Sequence, residues 1–250
     1  MAFDVSATAY DRFMGRYSAL LAPGFADLAG VHPGTRVLDV GAGSGALTAE
    51  LVARGVEVVA IDPSSQFVEA IRERLPDVAV VAASAEDLPF GDHEFAAALA
   101  QLVVHFMADP PAGIAEMRRV TQPDGVVAAC VWDHGTGRGP LSPFWAAARA
   151  LEPSLTGEAR MTGASPGQLR ELFVEAGLRN VEETALEVSV VHPTFEEWWE
   201  PFELGVGPAG AYVSRLTSEQ RVELREQCRS SLPPAPFSLA VRAWSARGLA

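Results

Sequence analysis

The residues with chemistry to offer stand where one apolar run gives way to a helical one, in Asp39-Val40-Gly41-Ala42-Gly43-Ser44-Gly45-Ala46. Glycines there let the backbone turn sharply and approach a ligand that any Cβ would obstruct. The N–H groups at the head of the following helix then face a negatively charged or oxygen-rich part of that ligand. Gly41-x-Gly43-x-x-Ala46 satisfies the dinucleotide fingerprint. Asp62 closes the next apolar run about twenty residues on, where a carboxylate accepts ribose hydroxyls. The pattern points to a ribose-bearing ligand and leaves its kind open. Asp39 begins to narrow it. A carboxylate at the inner end of a buried strand costs several kcal/mol without a donor, so Asp39 calls for a ligand ammonium or the turn amides. In nicotinamide-binding domains that position is ordinarily apolar.

The elements that must hold these residues are legible as alternating short apolar runs and helical stretches, the mark of βαβ units. The runs are 36–40, 56–61, 78–82, 95–101 and 126–132. Helices are expected over 45–54, closed by Gly55, and over 66–75, closed by Pro76. Another starts at Asp109-Pro110 and stops at the Gln122-Pro123-Asp124-Gly125 turn. Beyond Trp132 the chain turns loop-like, with a short helix over 144–151. Ser165-Pro166-Gly167-Gln168 and Thr217-Ser218-Glu219-Gln220 read as capping boxes, the first opening a helix that ends at Ala176. A strand is expected over 181–191 and a last one over 237–246, past Pro233-Pro234. Together these predict a single α/β domain, 1–250, with a doubly wound, mostly parallel sheet. Residues 35–133 form its ligand-binding core, and 1–30 and 134–233 form cap and substrate-binding elements.

Composition sets outer limits. A chain of 250 residues, 48% hydrophobic, buries one substantial core. With no lysine and a formal charge of −13 it is ill suited to a phosphate backbone, so no nucleic-acid partner is expected. No basic leader precedes an apolar run, and no segment reaches bilayer-spanning length. The chain is therefore read as cytoplasmic with no membrane partner. Cys130 and Cys228 are far apart and lack Cys/His spacing, so no metal site is expected.

Several motifs in order carry a resemblance: Leu38-Asp39-Val40-Gly41-Ala42-Gly43-Ser44-Gly45, Ala60-Ile61-Asp62-Pro63-Ser64 and Ala85-Glu86-Asp87-Leu88-Pro89-Phe90. They are followed by Glu116-Met117-Arg118-Arg119-Val120 and Pro123-Asp124-Gly125. The chain resembles the Rossmann-like (class I) S-adenosylmethionine-dependent methyltransferases, specifically the group with the type 11 methyltransferase domain, over about 35–133. The resemblance implies one antiparallel strand near the C-terminus and methyl transfer from S-adenosylmethionine to oxygen, nitrogen or carbon of a small acceptor. It places Gly41, Ala42 and Gly43 along methionine and ribose, Asp62 on the ribose hydroxyls and Pro63 beside the adenine edge. It places Phe67 on the adenine face, Ala85 and Glu86 at the adenine, and Gln101 at the methionine end. The leading segment Tyr10 to Ser18 would cover the ligand, with Arg16 pairing the methionine carboxylate. Ser84, Ala96 and Asp124 depart from the family pattern.

No catalytic residue is assigned. His105 and His134 follow the fourth and fifth runs, where ligand-facing loops emerge, and either could deprotonate a hydroxyl or serve only structure. Phe195, Trp198, Trp199 and Phe202 form an acceptor pocket or the buried face of a helix. The rival readings are a nicotinamide-dependent oxidoreductase, disfavoured by Asp39 and the later motifs, and a non-catalytic cofactor-binding module.

Overall fold

The computed structural model describes residues 7–250. The first six residues of the expected N-terminal cap lie outside the described residues. A one-turn helix α1 (Ala7–Tyr10) and a π-helical turn (Asp11–Gly15) lead into α2 (Arg16–Ala29). Then follow β1 (Arg36–Val40), α3 (Ala46–Ala53), β2 (Glu57–Asp62), α4 (Ser65–Arg74), β3 (Ala79–Ala82) and β4 (Phe95–Gln101). A 3-10 turn (Val104–Phe106), α5 (Pro110–Val120), β5 (Thr121–Trp132) and α6 (Ser142–Leu151) come next. The remainder is α7 (Gln168–Glu175), β6 (Arg179–His192), α8 (Phe195–Trp199), a 3-10 turn (Glu200–Leu204), α9 (Gly207–Ser214), α10 (Ser218–Ser231) and β7 (Phe237–Leu249).

The strands lie in the order β3-β2-β1-β4-β5-β7-β6. β1 to β5 pair in parallel, and β7 runs against both β5 and β6. The expected doubly wound sheet with one reversed C-terminal strand is what forms. Successive strand residues point to opposite faces, and the sequence supplies apolar side chains to both. Val37, Leu99, Ala128 and Cys130 join a core with α2 and α3, whereas Leu38, Ala98, Val127 and Val131 join one with α5 and α7. α2 carries Leu21, Ala22, Phe25, Ala26 and Ala29 on its buried face. Complete burial of Leu21 and Phe25 stabilises by about 2–3 kcal/mol each.

The chain leaves β1 toward β2 and β3, then crosses back to place β4 on the other side of β1. Where strand order reverses, the loops beyond the carboxyl ends diverge and open a crevice. Asp39, Asp62 and Gln101 sit at that end of β1, β2 and β4.

Several boundaries differ from expectation for local reasons. β5 starts at Thr121, but its register jumps from Phe95↔Thr121 to Ala97↔Val126, so the expected turn is a bulge within the strand. Asp124 takes the left-handed conformation there, at φ 63°. Only half of the first capping box forms, with Gln168 Oε1 accepting from the Ser165 N–H at 3.2 Å. Gly167 at φ 86° turns the chain so that α7 begins only at Gln168, with no side-chain cap. The second forms completely between Thr217 and Gln220. β7 runs on to Leu249 because it is paired on both sides there, with Val126 and Arg179. Within 134–233, α7 and β6 belong to the sheet layers, and the cap proper is α6 and α8 to α10. Among the described residues no helix is long and apolar enough to cross a membrane, and no three His, Cys, Asp or Glu side chains group as metal ligands.

Candidate functional site

The crevice is a cleft of about 610 Å3. Asp39, Gly41, Ala42, Gly43, Asp62, Pro63, Phe67, Ala85, Glu86 and Gln101 all line it. Arg16 does not. Its guanidinium donates to Glu197 Oε1 at 3.0 Å and lies 3.5 Å from His192 Nδ1, in a separate small pocket. The expected carboxylate pairing by Arg16 is therefore corrected: the arginine is held by α8 and β6. The N-terminal segment reaches the cleft through Tyr10 and Ser18 instead, and Tyr10 meets the Phe67 ring edge-on at 5.4 Å.

The glycine turn has two distinct requirements. At Gly41 (φ 67°) a Cβ would come within 2.6 Å of a Val103 methyl, so close packing demands glycine. At Gly43 (φ 55°) a Cβ would meet nothing within 4 Å, so the space beside it belongs to the cleft. The Gly43 N–H donates to Asp62 Oδ2 at 2.9 Å, and the Ser64 N–H donates to Oδ1 at 2.8 Å. Both carboxylate oxygens are thus fixed in direction while keeping further lone pairs for a ligand. Burial nevertheless raises the Asp62 pKa, against the opposing effect of these two N–H groups.

Asp39 is buried beneath the turn, and its Oδ2 accepts from the Thr48 hydroxyl of α3 at 2.6 Å. The donor is thus a helix side chain. Burial pushes the Asp39 carboxyl up to about 7, so a cation brought next to it would be welcomed. Gln101 donates from Nε2 to the Ser18 carbonyl at 3.1 Å, while its Oε1 is buried with no partner. An orphaned acceptor in a ligand cleft is a vacant hydrogen-bond position for a donor.

Glu86 is committed to the protein: Oε1 accepts from the Ala108 N–H at 2.7 Å and the Asp109 N–H at 3.3 Å, and Oε2 takes the Ser84 hydroxyl. Burial pushes its pKa up, but the Ser84 hydroxyl and the N–H groups outweigh it and hold the carboxyl below its usual range. Ser84, one of the departures from the family pattern, thus orients Glu86. No arginine, lysine or histidine lines the cleft among the described residues, so its ionisable walls are three carboxylates and Tyr10.

Beside the cleft, sharing Tyr10, Leu102 and Phe106 with it, lies a smaller pocket of about 30 Å3. His105 and His134 both line it, with ring centroids 6.2 Å apart. Burial drives His105 down to about 3, with His134 adding to the shift, and drives His134 down to about 4. A further titratable group of the pocket, Glu158, lies in a segment with no motif to mark it. Burial pushes Glu158 up to about 7, and its Oε2 accepts from Trp145 Nε1 at 2.7 Å. Leu102 sits between the two cavities at φ 64°, a left-handed conformation that is uncommon for a bulky residue and gives no warning in sequence. Phe195, Trp198, Trp199 and Phe202 line neither cavity. They are buried among themselves and against Phe144, whose ring stacks on Phe202 at 4.4 Å, so the helix-face alternative describes them.

Residues 38–129 match the family model described as "Methyltransferase domain". That segment spans β1 to most of β5 and holds every cleft residue named above except Tyr10 and Ser18. The chain is 42% identical over 99 residues to a demethylmenaquinone methyltransferase of Beutenbergia cavernae, a stretch covering 40% of this chain and 41% of that one. It thus spans about two fifths of the length of the curated relatives it matches. Among solved structures, the YcgJ protein of Bacillus subtilis shares the fold at a TM-score of 0.61 and 18% identity, over 94% of this chain and 98% of that one. A phosphoethanolamine N-methyltransferase of Haemonchus contortus, solved with S-adenosylhomocysteine, does so at 0.59 and 17%, over 97% of this chain and 56% of that one. The fold is the class I methyltransferase fold.

Proposed function

We propose that the protein is a methyltransferase that binds S-adenosylmethionine in the larger cleft and methylates a small organic acceptor. The observation that carries this is the charge of the cleft. Asp39, Asp62 and Glu86 line it, and among the described residues no cationic side chain does. A pyrophosphate would bring two negative charges against these carboxylates, whereas S-adenosylmethionine, with a sulfonium and an ammonium against one carboxylate, is net positive. The nicotinamide reading is disfavoured on that ground.

The residues fit the ligand part by part. Asp62, with both oxygens already aimed, takes the ribose hydroxyls, and Phe67 and Pro63 flank the adenine. Ala85 lies at its edge, while Glu86 holds the loop behind. The open space beside Gly43 takes the chain near the ribose, and Asp39 and the orphaned Gln101 Oε1 face the ammonium. With Arg16 engaged elsewhere, the methionine carboxylate falls to N–H groups of the glycine turn and the head of α3. Bound there, the sulfonium supplies a methyl group whose bond to sulfur breaks with its electron pair left on sulfur, as an acceptor lone pair forms the new bond. The chain's own part is alignment and exclusion of water.

The test is incubation with methyl-labelled S-adenosylmethionine and a panel of phenols, amines and carbon acids. Labelled product with stoichiometric S-adenosylhomocysteine is expected from at least one class. Tight cofactor binding with no transfer to any class would favour a binding module and contradict turnover.

A further inference from the structure

The small pocket beside the cleft has features that cofactor binding does not explain. His105 is half-buried, but its Nδ1 is shut off from solvent and has no hydrogen-bond partner. Leaving such a nitrogen dry and unpaired is costly, so the site is built for a group that can pair with it. Besides His134 and Glu158, whose Oε2 is taken by Trp145 Nε1, the surrounding walls are mostly aromatic or apolar, including Phe13, Phe106 and Trp132. No arginine or lysine lines the pocket among the described residues, so nothing there would neutralise a carboxylate or phosphate. Burial also keeps both histidines uncharged at neutral pH. The pocket adjoins the methionine end of the cleft through Leu102, which directly follows Gln101.

We propose that this pocket receives the reacting end of the acceptor, that the acceptor is an uncharged aromatic compound bearing a hydroxyl, and that the hydroxyl pairs with His105 Nδ1. The inference rests on the methyltransferase reading of the neighbouring cleft. A hydroxyl suits an imidazole nitrogen in either tautomer, since it both donates and accepts. A carboxylate would have to shed its hydration for no cation in return, and an ammonium would find only Glu158, whose carboxyl burial drives toward its neutral form and whose Oε2 already accepts from Trp145 Nε1. Only the hydroxyl-bearing edge enters a space this small, so the rest of the ring system lies toward the shared wall of Tyr10 and Phe106.

Fluorine NMR titration of the whole protein with 4-fluorophenol, fluorobenzene, 4-fluoroaniline and 4-fluorobenzoate tests this, each with and without S-adenosylhomocysteine. The phenol is expected to bind about tenfold more tightly than the other three. The preference is expected to vanish in His105→Phe and to return in part in His105→Asn, with S-adenosylhomocysteine affinity unchanged in both. Nitrogen-15 NMR of the wild-type imidazoles keeps the test alive if the variants do not fold, because the His105 Nδ1 resonance is expected to move when the phenol is added. An equal or reversed preference, a preference surviving in folded His105→Phe, or a stationary Nδ1 resonance would overturn the proposal. Calorimetry with S-adenosylhomocysteine separates the two readings: its failure to bind would sink the cofactor assignment, whereas its binding without a phenol preference would sink only this one.

Discussion

The larger cleft and the small pocket beside it share three wall residues but differ in how their polar groups are paired. In the cleft, polar groups are pre-aimed: Asp62 by two N–H groups, Glu86 by Ser84 and the head of α5, Asp39 by Thr48. In the pocket, ionisable groups are stripped of water and driven toward their neutral forms, and one nitrogen is left unpaired. Burial raises Asp39 and Asp62 as well, so the contrast lies in hydrogen bonding: the cleft's carboxylates have donors that fix their direction, whereas the pocket leaves a nitrogen with none. The aromatic cap backs the second site, so stability should reside there and ligand affinity in the first.

Phe202→Ala should break that division most visibly if the division is wrong. The ring is fully buried and stacked on Phe144, so its removal should cost about 3–5 kcal/mol of unfolding free energy. S-adenosylhomocysteine affinity of the folded fraction should stay unchanged, as denaturant melts and calorimetry would show. Asp62→Ala should do the reverse. Loss of both ribose acceptors should weaken S-adenosylhomocysteine by about 2–4 kcal/mol, on the order of 30- to 1000-fold, while circular dichroism stays native. Near-native affinity in a folded variant would remove the ribose contact from the picture.

Glu158→Gln sharpens the contrast through pH. The folded pKa of Glu158 is raised to about 7 from an ordinary 4.5, so its contribution is present below 4.5 and lost as pH rises through 7. His105 and His134, lowered to about 3 and 4, act in the opposite sense: their contribution is lost as pH falls below 6.5. The glutamine variant should therefore be more stable than the parent at pH 8 by about 2–3 kcal/mol and nearly equal to it at pH 4. Urea melts at the two pH values decide it. The smallest effect concerns Asp39, whose carboxyl is raised to about 7 in the free protein. A ligand ammonium beside it favours the charged form, so S-adenosylhomocysteine affinity should rise about tenfold from pH 6 to pH 8 with release of a proton. Asp39→Asn should bind with no such slope.

What was legible in sequence follows the same division. The strands and crossovers of 35–133 announce themselves because β-branched runs end at glycine or proline, and Asp62 is placed by its spacing from the glycine turn. Arg16 was misplaced because Glu197, the carboxylate that holds it, stands 181 residues away with no local sign of the pairing. Ser165 looked like a helix cap, but the left-handed Gly167 overrides it. Glu158 and the left-handed Leu102 carry no pattern at all. Their placement is decided by how the cap packs on the sheet. The two histidines were visible as types at strand ends, but their meeting in one pocket depends on the 102–106 and 133–141 loops converging in space.

The central claim is that the cleft is built for an adenosyl ligand with an amino-acid end and not for a dinucleotide. Calorimetric titration of the wild-type protein with S-adenosylhomocysteine and, separately, with NAD tests it most directly. One-to-one binding of S-adenosylhomocysteine at micromolar affinity, about −8 kcal/mol, is expected, with no measurable NAD heat. Tight NAD binding, or no binding of S-adenosylhomocysteine by the folded protein, would contradict it.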